Sequence, residues 1–457
     1  MSRLNVDLEL VKKYNVPGPR YTSYPPATQF SGPVDRALWE EKIKQNNATA
    51  RDISLYFHLP FCQTLCWFCG CTTVITTQQS QSGGYLKYLE KEMDLMRRHL
   101  NPKRKVTQLH FGGGTPTFLT PEELRQLGQM IHSRFEFSKD IEAGVEIDPR
   151  RFTREHVHAL SDVGFNRASL GVQDFNPQVQ AAVHRIQPLE ETERSIEWLR
   201  SSGFNSLNID LIYGLPYQTV ASFEKTIDAV LDICPDRLAI FSYAHVPWIK
   251  PAQKILEKES ALPSPEVKLQ ILKLTIEKLT DQGFVYIGMD HFARANDELA
   301  IAQQHGTLQR NFQGYSTHGG ADIYGFGMSA VSQAEDFYWQ NEKDLPDYYA
   351  CVNRGELPLA KGYFMTADDQ LRRHTIMRLM CDLRLDFDKL SRDLSIDFPS
   401  YFDRELGSLE DLALDGLIER KPAGIEVTEC GRLFIRNIAM RFDAHMATSP
   451  KRFSRTV

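Results

Sequence analysis

The chain has 457 residues, more than one hydrophobic core usually organises, so a large domain with at least one smaller module is expected. Hydrophobic residues at 42% and charged residues at 25% exclude a largely disordered chain, and a net charge of −6 excludes a chain-wide attraction to nucleic acid or anionic membrane. The polar first fifteen residues lack the apolar core of a signal peptide, and no apolar run approaches the roughly 20 residues of a membrane helix. A cytoplasmic protein with no membrane span and no nucleic-acid partner is therefore expected.

From residue 51 onward, short apolar runs alternate with amphipathic stretches. Strands are expected at Ser54 to Leu59, Gln108 to Phe111, Gly144 to Ile147, Arg167 to Val172, Ser206 to Ile212, Arg237 to Tyr243 and Val285 to Met289. Helical periodicity fills the gaps at Tyr85 to Arg98, Pro121 to Phe135, Leu189 to Ser201, Val220 to Ile233 and Pro265 to Gln282, several after Thr, Ser or Pro start signals. Serial βα units give an α/β fold with a parallel sheet, open or curled into a barrel. The count falls short of eight units, so a partial (β/α)6 barrel with an open side is predicted. Past residue 365 the pattern changes to helices and one hairpin, Ile418 to Lys421 and Ile425 to Thr428, which reads as a winged-helix-like module. The divisions predicted are an N-terminal extension over 1–50 that contributes to the active site, a catalytic barrel over 51–365 and a C-terminal domain over 366–457.

Four of the eight cysteines, Cys62, Cys66, Cys69 and Cys71, fall within ten residues, just after the first strand. Clustered thiols in a reducing compartment mean metal or redox chemistry more often than disulfides. Three thiolates at C-x3-C-x2-C spacing can ligate three irons of a 4Fe-4S cluster and leave the fourth iron open. The competing reading is tetrahedral zinc, with Cys71 as fourth ligand. No second Cys pair follows at zinc-site spacing, and Phe61, Trp67 and Phe68 suit a buried redox centre better.

The cysteine loop, followed by Gly112-Gly-Gly-Thr-Pro116 after the next strand, resembles the radical-SAM enzymes. Gly18-Pro-Arg-Tyr-Thr-Ser-Tyr-Pro25, Val145-Glu-Ile-Asp-Pro149, Gly171-Val-Gln-Asp-Phe175, Asn208 to Pro216, Gly288 to Ala293 and Arg310-Asn-Phe-Gln-Gly-Tyr315 are similar, within that superfamily, to the oxygen-independent coproporphyrinogen III oxidases. The resemblance implies Cys62, Cys66 and Cys69 as ligands of a 4Fe-4S cluster and S-adenosyl-L-methionine (SAM) as the second cofactor, with two SAM molecules bound. It implies that Tyr56, Phe68, Gly113, Gly114, Thr115 and Glu146 bind SAM, with Asp148 beside Glu146. Gln173, Arg185, Asp210, Ala244 and Val331 are implied at the second SAM, and Tyr56, His58, Cys71, Phe312 and Gln313 are the candidate catalytic residues.

The implied reaction converts two propionates of coproporphyrinogen III to the vinyls of protoporphyrinogen IX. It needs an electron donor such as flavodoxin or ferredoxin and an electron acceptor; a monomer is expected. Arg20, Arg185 and Arg310 are the candidates for the substrate carboxylates. Two other readings compete. One is a haem-binding chaperone on the same scaffold. The other is a nucleic-acid reader, against which residues 371 to 457 carry 15 Lys and Arg and 14 Asp and Glu, with no basic stripe.

Overall fold

In the computed structural model, which describes residues 6–49, 51–257, 261–446, 453, 455 and 456, the βα rhythm folds as six parallel strands in chain order. They are β1 (Ile53–Leu59), β2 (Lys105–Gly113), β3 (Glu136–Ile147), β4 (Arg167–Gln173), β5 (Ser206–Tyr213) and β6 (Arg237–Ser242). Their helices start where the sequence supplies caps. Thr120 forms a capping box with Glu123 ahead of Pro121–His132, Thr219 one with Ser222 ahead of Val220–Ile233, and Ser264 caps Pro265–Asp281 with proline at the first helical position.

The expected strand at Val285 to Met289 is not a seventh parallel unit. It is β7 (Phe284–Gly288), which turns directly into β8 (His291–Arg294); β8 pairs antiparallel with β6 and leaves β7 at the sheet edge. Beyond the other side of β1 the chain adds β9 (Asp322–Phe326), parallel to β1, then an antiparallel run of β10 (Val331–Gln333), β11 (Phe337–Asn341) and β12 (Leu359–Phe364). The sheet order is β12-β11-β10-β9-β1-β2-β3-β4-β5-β6-β8-β7. The last four strands were not anticipated, because β9 is buried along its whole length and is followed by glycine and serine, so it shows no alternation.

β1 is thus flanked on both sides and is buried at six of its seven positions. Phe57 is fully buried and packs on Phe111 and Phe326 with ring centroids 5.5 and 5.0 Å apart. Truncating it to alanine would cost about 3–5 kcal/mol. At its end the Tyr85 hydroxyl donates to the His58 carbonyl and accepts from the Met328 amide, both at 2.9 Å, which fixes where the strand releases the cysteine loop.

The C-terminal segment has a three-stranded sheet, Arg384–Asp386, Ile418–Lys421 and Gly424–Val427, that includes the expected hairpin, among short helices. Arg436, in the helix Ile435–Met440, donates to the carbonyls of Gly18, Pro19 and Thr456. The N-terminal segment is thereby tied to the C-terminal one across the end of the barrel.

Candidate active site

The cysteines leave β1 through the two-residue strand Phe61–Cys62, which pairs with Val74–Ile75. The loop between is held from outside. The Trp67 amide donates to the Val183 carbonyl at 3.1 Å, Trp67 stacks on His184, Gln253 donates to the Phe68 carbonyl at 3.0 Å and Lys250 to the Cys71 carbonyl at 2.6 Å. Cys62 Sγ lies 3.3 Å from the Thr115 hydroxyl, and Cys66 Sγ accepts from Arg150 and Arg185, each at 3.6 Å. The Cys71 thiol donates to Cys69, which pulls the Cys69 thiol below its ordinary value and pushes Cys71 well above. Among the described residues no three His, Cys, Asp or Glu converge on a single ion position. A cubane does not ask for that, since each thiolate ligates its own iron. Three thiols met by a hydroxyl at Cys62, two guanidiniums at Cys66 and a neighbouring thiol at Cys69 fit such a cluster, because hydrogen bonds to the sulfurs stabilise their anionic form.

The glycine run is packed against this loop on every side. A Cβ at Gly112 would lie 2.8 Å from the Glu146 carboxylate, one at Gly113 2.6 Å from the His58 ring, and one at Gly114 2.4 Å from the Pro60 carbonyl. Gly113 also has φ +115°, a conformation that disfavours side chains. Gly114 and Thr115 amides donate to the carbonyls of Leu59 and Phe61 at 2.9 Å. Most of the run's backbone freedom is therefore spent on seating Glu146, His58 and the cysteine loop together.

Tyr56 and His58 share a face of β1, as their alternation predicts. The register sets Tyr56 opposite His110 of β2, and the rings stack at 5.9 Å. His58 Nε2 donates to the Thr72 carbonyl at 2.9 Å, which leaves Nδ1 to accept the Tyr56 hydroxyl at 3.1 Å. Burial pushes Tyr56 up and His58 down, so both stay neutral near pH 7. Burial also opposes ionisation of Glu146, yet His110 at 3.5 Å and the Gly113 amide at 3.0 Å outweigh it and hold its carboxyl below the usual range.

Asp148 is buried between Arg185, at 3.3 Å, and Arg150, at 2.6 Å; these two cations overcome desolvation and hold it to about 2. Arg185 is itself 6% exposed and donates to the Gly171 carbonyl at 2.6 Å. It belongs to the cluster corner, where Asp148 and Cys66 take its charge. Gln173 ends β4 at a register shift with φ +72°, with its amide beside Gly171. Asp210 accepts from Ser169 and Asn208 at 2.9 and 2.8 Å, and burial, reinforced by the Glu146 charge, raises it to about 6.

Phe312 and Gln313 are not in an irregular loop. They form the turn of a tight hairpin, Gln309–Asn311 against Gly314–Ser316. Phe312 packs edge-on against Phe30 and Tyr338 at 6.2 and 5.7 Å, and Val331 joins the same apolar cluster. Ala244 lies elsewhere, after β6, where it lines a cavity of about 400 Å³ with Tyr213, Tyr243 and Tyr286. A second cavity, about 250 Å³, is walled by inward residues of β2 to β6, including His110, Glu146, Ser169, Asn208 and Asp210, and Gln313 joins its lining. That residues of five consecutive strands face one cavity is the curvature expected of a partial barrel.

The sequence reading missed His110, Arg150, Ser169 and Asn208. His110 and Asn208 could have been found from strand alternation alone, since each sits two positions from an assigned site residue or motif position on the same strand.

Comparison with known proteins agrees with this geometry. Residues 56–230 match the Radical SAM superfamily profile, and 365–434 match the HemN C-terminal domain. The oxygen-independent coproporphyrinogen III oxidase of Escherichia coli is 44% identical over 100% of both chains. The enzyme of the same name from a Synechocystis strain is 44% identical over 98% of this chain and 97% of its own. The solved structure of coproporphyrinogen III oxidase (HemN) from Escherichia coli superposes with a TM-score of 0.92, at 43% identity, over 97% of this chain and 100% of that one.

Proposed function

The chain belongs to the oxygen-independent coproporphyrinogen III oxidases, and from that premise we infer its reaction and the residues that serve it. It is a radical-SAM oxidoreductase of haem biosynthesis that decarboxylates two propionates of coproporphyrinogen III to the vinyls of protoporphyrinogen IX. The observation that carries this reading is the triad Cys62, Cys66 and Cys69, with two guanidiniums on Cys66, beside the glycine run, in a chain that matches the oxidases along its length.

Cys62, Cys66 and Cys69 would hold the 4Fe-4S cluster. When bound, the cluster and SAM supply reductive cleavage to a 5′-deoxyadenosyl radical, the oxidant for a propionate β-carbon hydrogen. The chain's own contribution is position and charge. Gly113, Gly114 and Thr115 lie against the start of the cysteine loop, and Phe68 is carried within it. Glu146, kept ionised by His110, offers a carboxylate to the SAM ammonium. Tyr56, held by His58 and His110, presents a neutral ring beside it. Gln173, Arg185, Asp210, Ala244 and Val331 serve the second SAM; Arg185 is supported by its burial at the cluster corner and Asp210 by its place in the cavity wall within reach of the Arg185 charge, while Ala244 and Val331 occupy different parts of the fold. Phe312 and Gln313 close the barrel over the substrate, supported by the buried, unpartnered Gln313 Nε2. Cys71 acts on Cys69 through its thiol.

The finer assignments complete the proposal: a flavodoxin- or ferredoxin-type electron donor, a separate electron acceptor, a monomer in the cytoplasm, and units at 1–50, 51–365 and 366–457. No helix among the described residues is long and apolar enough to cross a membrane. The deciding experiment is anaerobic reconstitution with iron and sulfide, then SAM, reductant and coproporphyrinogen III, with products followed by mass. Loss of two carboxyl groups with SAM cleavage is expected. Tight haem binding with the porphyrinogen untouched would overturn the oxidase in favour of the chaperone.

A further inference from the structure

The 400 Å³ cavity lies at the C-terminal ends of β5 and β6, on the same edge of the sheet as the cysteine loop. Its lining holds four cations, Arg20, Lys268, Arg436 and Arg455, and one carboxylate, Asp290, which pairs with Arg20. Lys268 comes from the helix Pro265–Asp281; among the described residues its ammonium has one hydrogen-bond acceptor, the Tyr243 carbonyl at 3.5 Å. Its stem lies over Gly214, where a Cβ would meet Cε at 2.6 Å, so the strand end is shaped to let this lysine through. Arg436 is 5% exposed and reaches backbone carbonyls but no carboxylate among the described residues. Arg310, 7% exposed, also ends on carbonyls, with Nη1 unpartnered. Burial lowers Arg20 and Arg436 to about 10, and their repulsion with each other and with Arg310 adds to it.

Buried cations persist where something compensates them, and here the described residues supply one carboxylate for several. The compensation must come from a ligand that carries more than one negative charge. Resting on the oxidase reading, we propose that this cavity takes the propionate carboxylates the reaction leaves intact, with Lys268 and Arg436 as their anchors. The C-terminal segment is then part of the substrate site, and the porphyrinogen is held by its non-reacting arms. Tyr213, Tyr243 and Tyr286 give the apolar walls that keep these charge-assisted bonds out of water.

The test uses the reconstituted holoenzyme and two air-stable probes, coproporphyrin III and its tetramethyl ester, with binding read by fluorescence quenching. The wild type should prefer the tetra-acid. Lys268→Gln should weaken the tetra-acid about tenfold, leave the ester unchanged and raise KM for coproporphyrinogen III by a similar factor. Lys268→Arg should restore most of the loss. Arg436→Lys keeps the charge where Arg436→Gln risks the fold, and should sit between wild type and Lys268→Gln. Equal affinity of the wild type for acid and ester overturns the proposal, as does a Lys268→Gln enzyme with normal porphyrin affinity but weakened SAM binding, which would give the cavity to SAM. A wild type that neither binds nor oxidises the porphyrinogen brings down the oxidase reading itself.

Discussion

Two arginine-rich corners of the same barrel end have opposite charge balance. Around Cys66, Arg150 and Arg185 are matched in charge by Asp148 and by the thiol they both face, with Arg185 Nε the one nitrogen of the two guanidiniums left buried without an acceptor among the described residues. Around Lys268, Arg20, Arg310 and Arg436 repel one another with Asp290 as the one counter-charge among the described residues. The first corner is self-sufficient, so it can hold its shape before any ligand arrives. The second is unfinished, and its electrostatic energy is released when an anion enters. The contrast separates a pre-organised cofactor site from a site selected for a multiply charged substrate.

Substitutions test this contrast in order of expected effect. Cys66→Ala removes the sulfur on which both guanidiniums converge, and should abolish cluster content and SAM cleavage altogether; a brown, active variant would refute the ligand assignment. Tyr56→Leu should retain the cluster by absorbance and iron content yet lose turnover by about a hundredfold or more, because the loss of the hydroxyl frees His58 Nδ1 and the stack on His110. Full activity would show that this face of β1 is structural only. Arg185→Ala unbalances the first corner, leaving Asp148 with Arg150 alone, and should raise KM for SAM roughly tenfold with porphyrin affinity unchanged. The converse split, with porphyrin affinity falling, would erase the distinction between the two corners.

The smallest effect is a pH dependence. Asp210 is raised to about 6, so its carboxylate takes a proton as pH falls through that value, and kcat/KM for SAM should fall several-fold between pH 7 and 5. Stability moves the other way. A folded-state value above the unfolded one favours folding of the protonated form, so this contribution is present at low pH and is lost as pH rises through about 6. Asp210→Asn should flatten both inflections, read in steady-state kinetics and in thermal melts; an unchanged kinetic profile would remove Asp210 from the SAM site.

Much of the first corner was legible because its signals are local. Cysteine spacing, a glycine run at a strand end, and the alternation of Tyr56 with His58 each lie within a few residues. The six parallel strands were legible for the same reason, through period and caps. What escaped was everything decided by distant pairing. β9 to β12 are short strands whose place comes from β1, more than 260 residues earlier, as in the pairing Ile53↔Asp322. Arg185 looked like a substrate cation in sequence and is instead bound to Asp148 and Cys66. Lys268 sits in an ordinary surface-packed helix and Arg436 in a short buried one, and nothing beside them in sequence distinguishes them from solvated residues.

The placement of β1 between β2 and β9 also sets an order of events during synthesis. The strand that feeds the cysteine loop emerges early, but its second neighbour ends at Phe326, near three quarters of the way along the chain. Until then one edge of β1 has no partner, and the Tyr85 contact with Met328 that fixes its end cannot form. The foundation of the cysteine loop is thus among the last parts of the sheet to be completed, a long-range closure of the kind that makes folding slow.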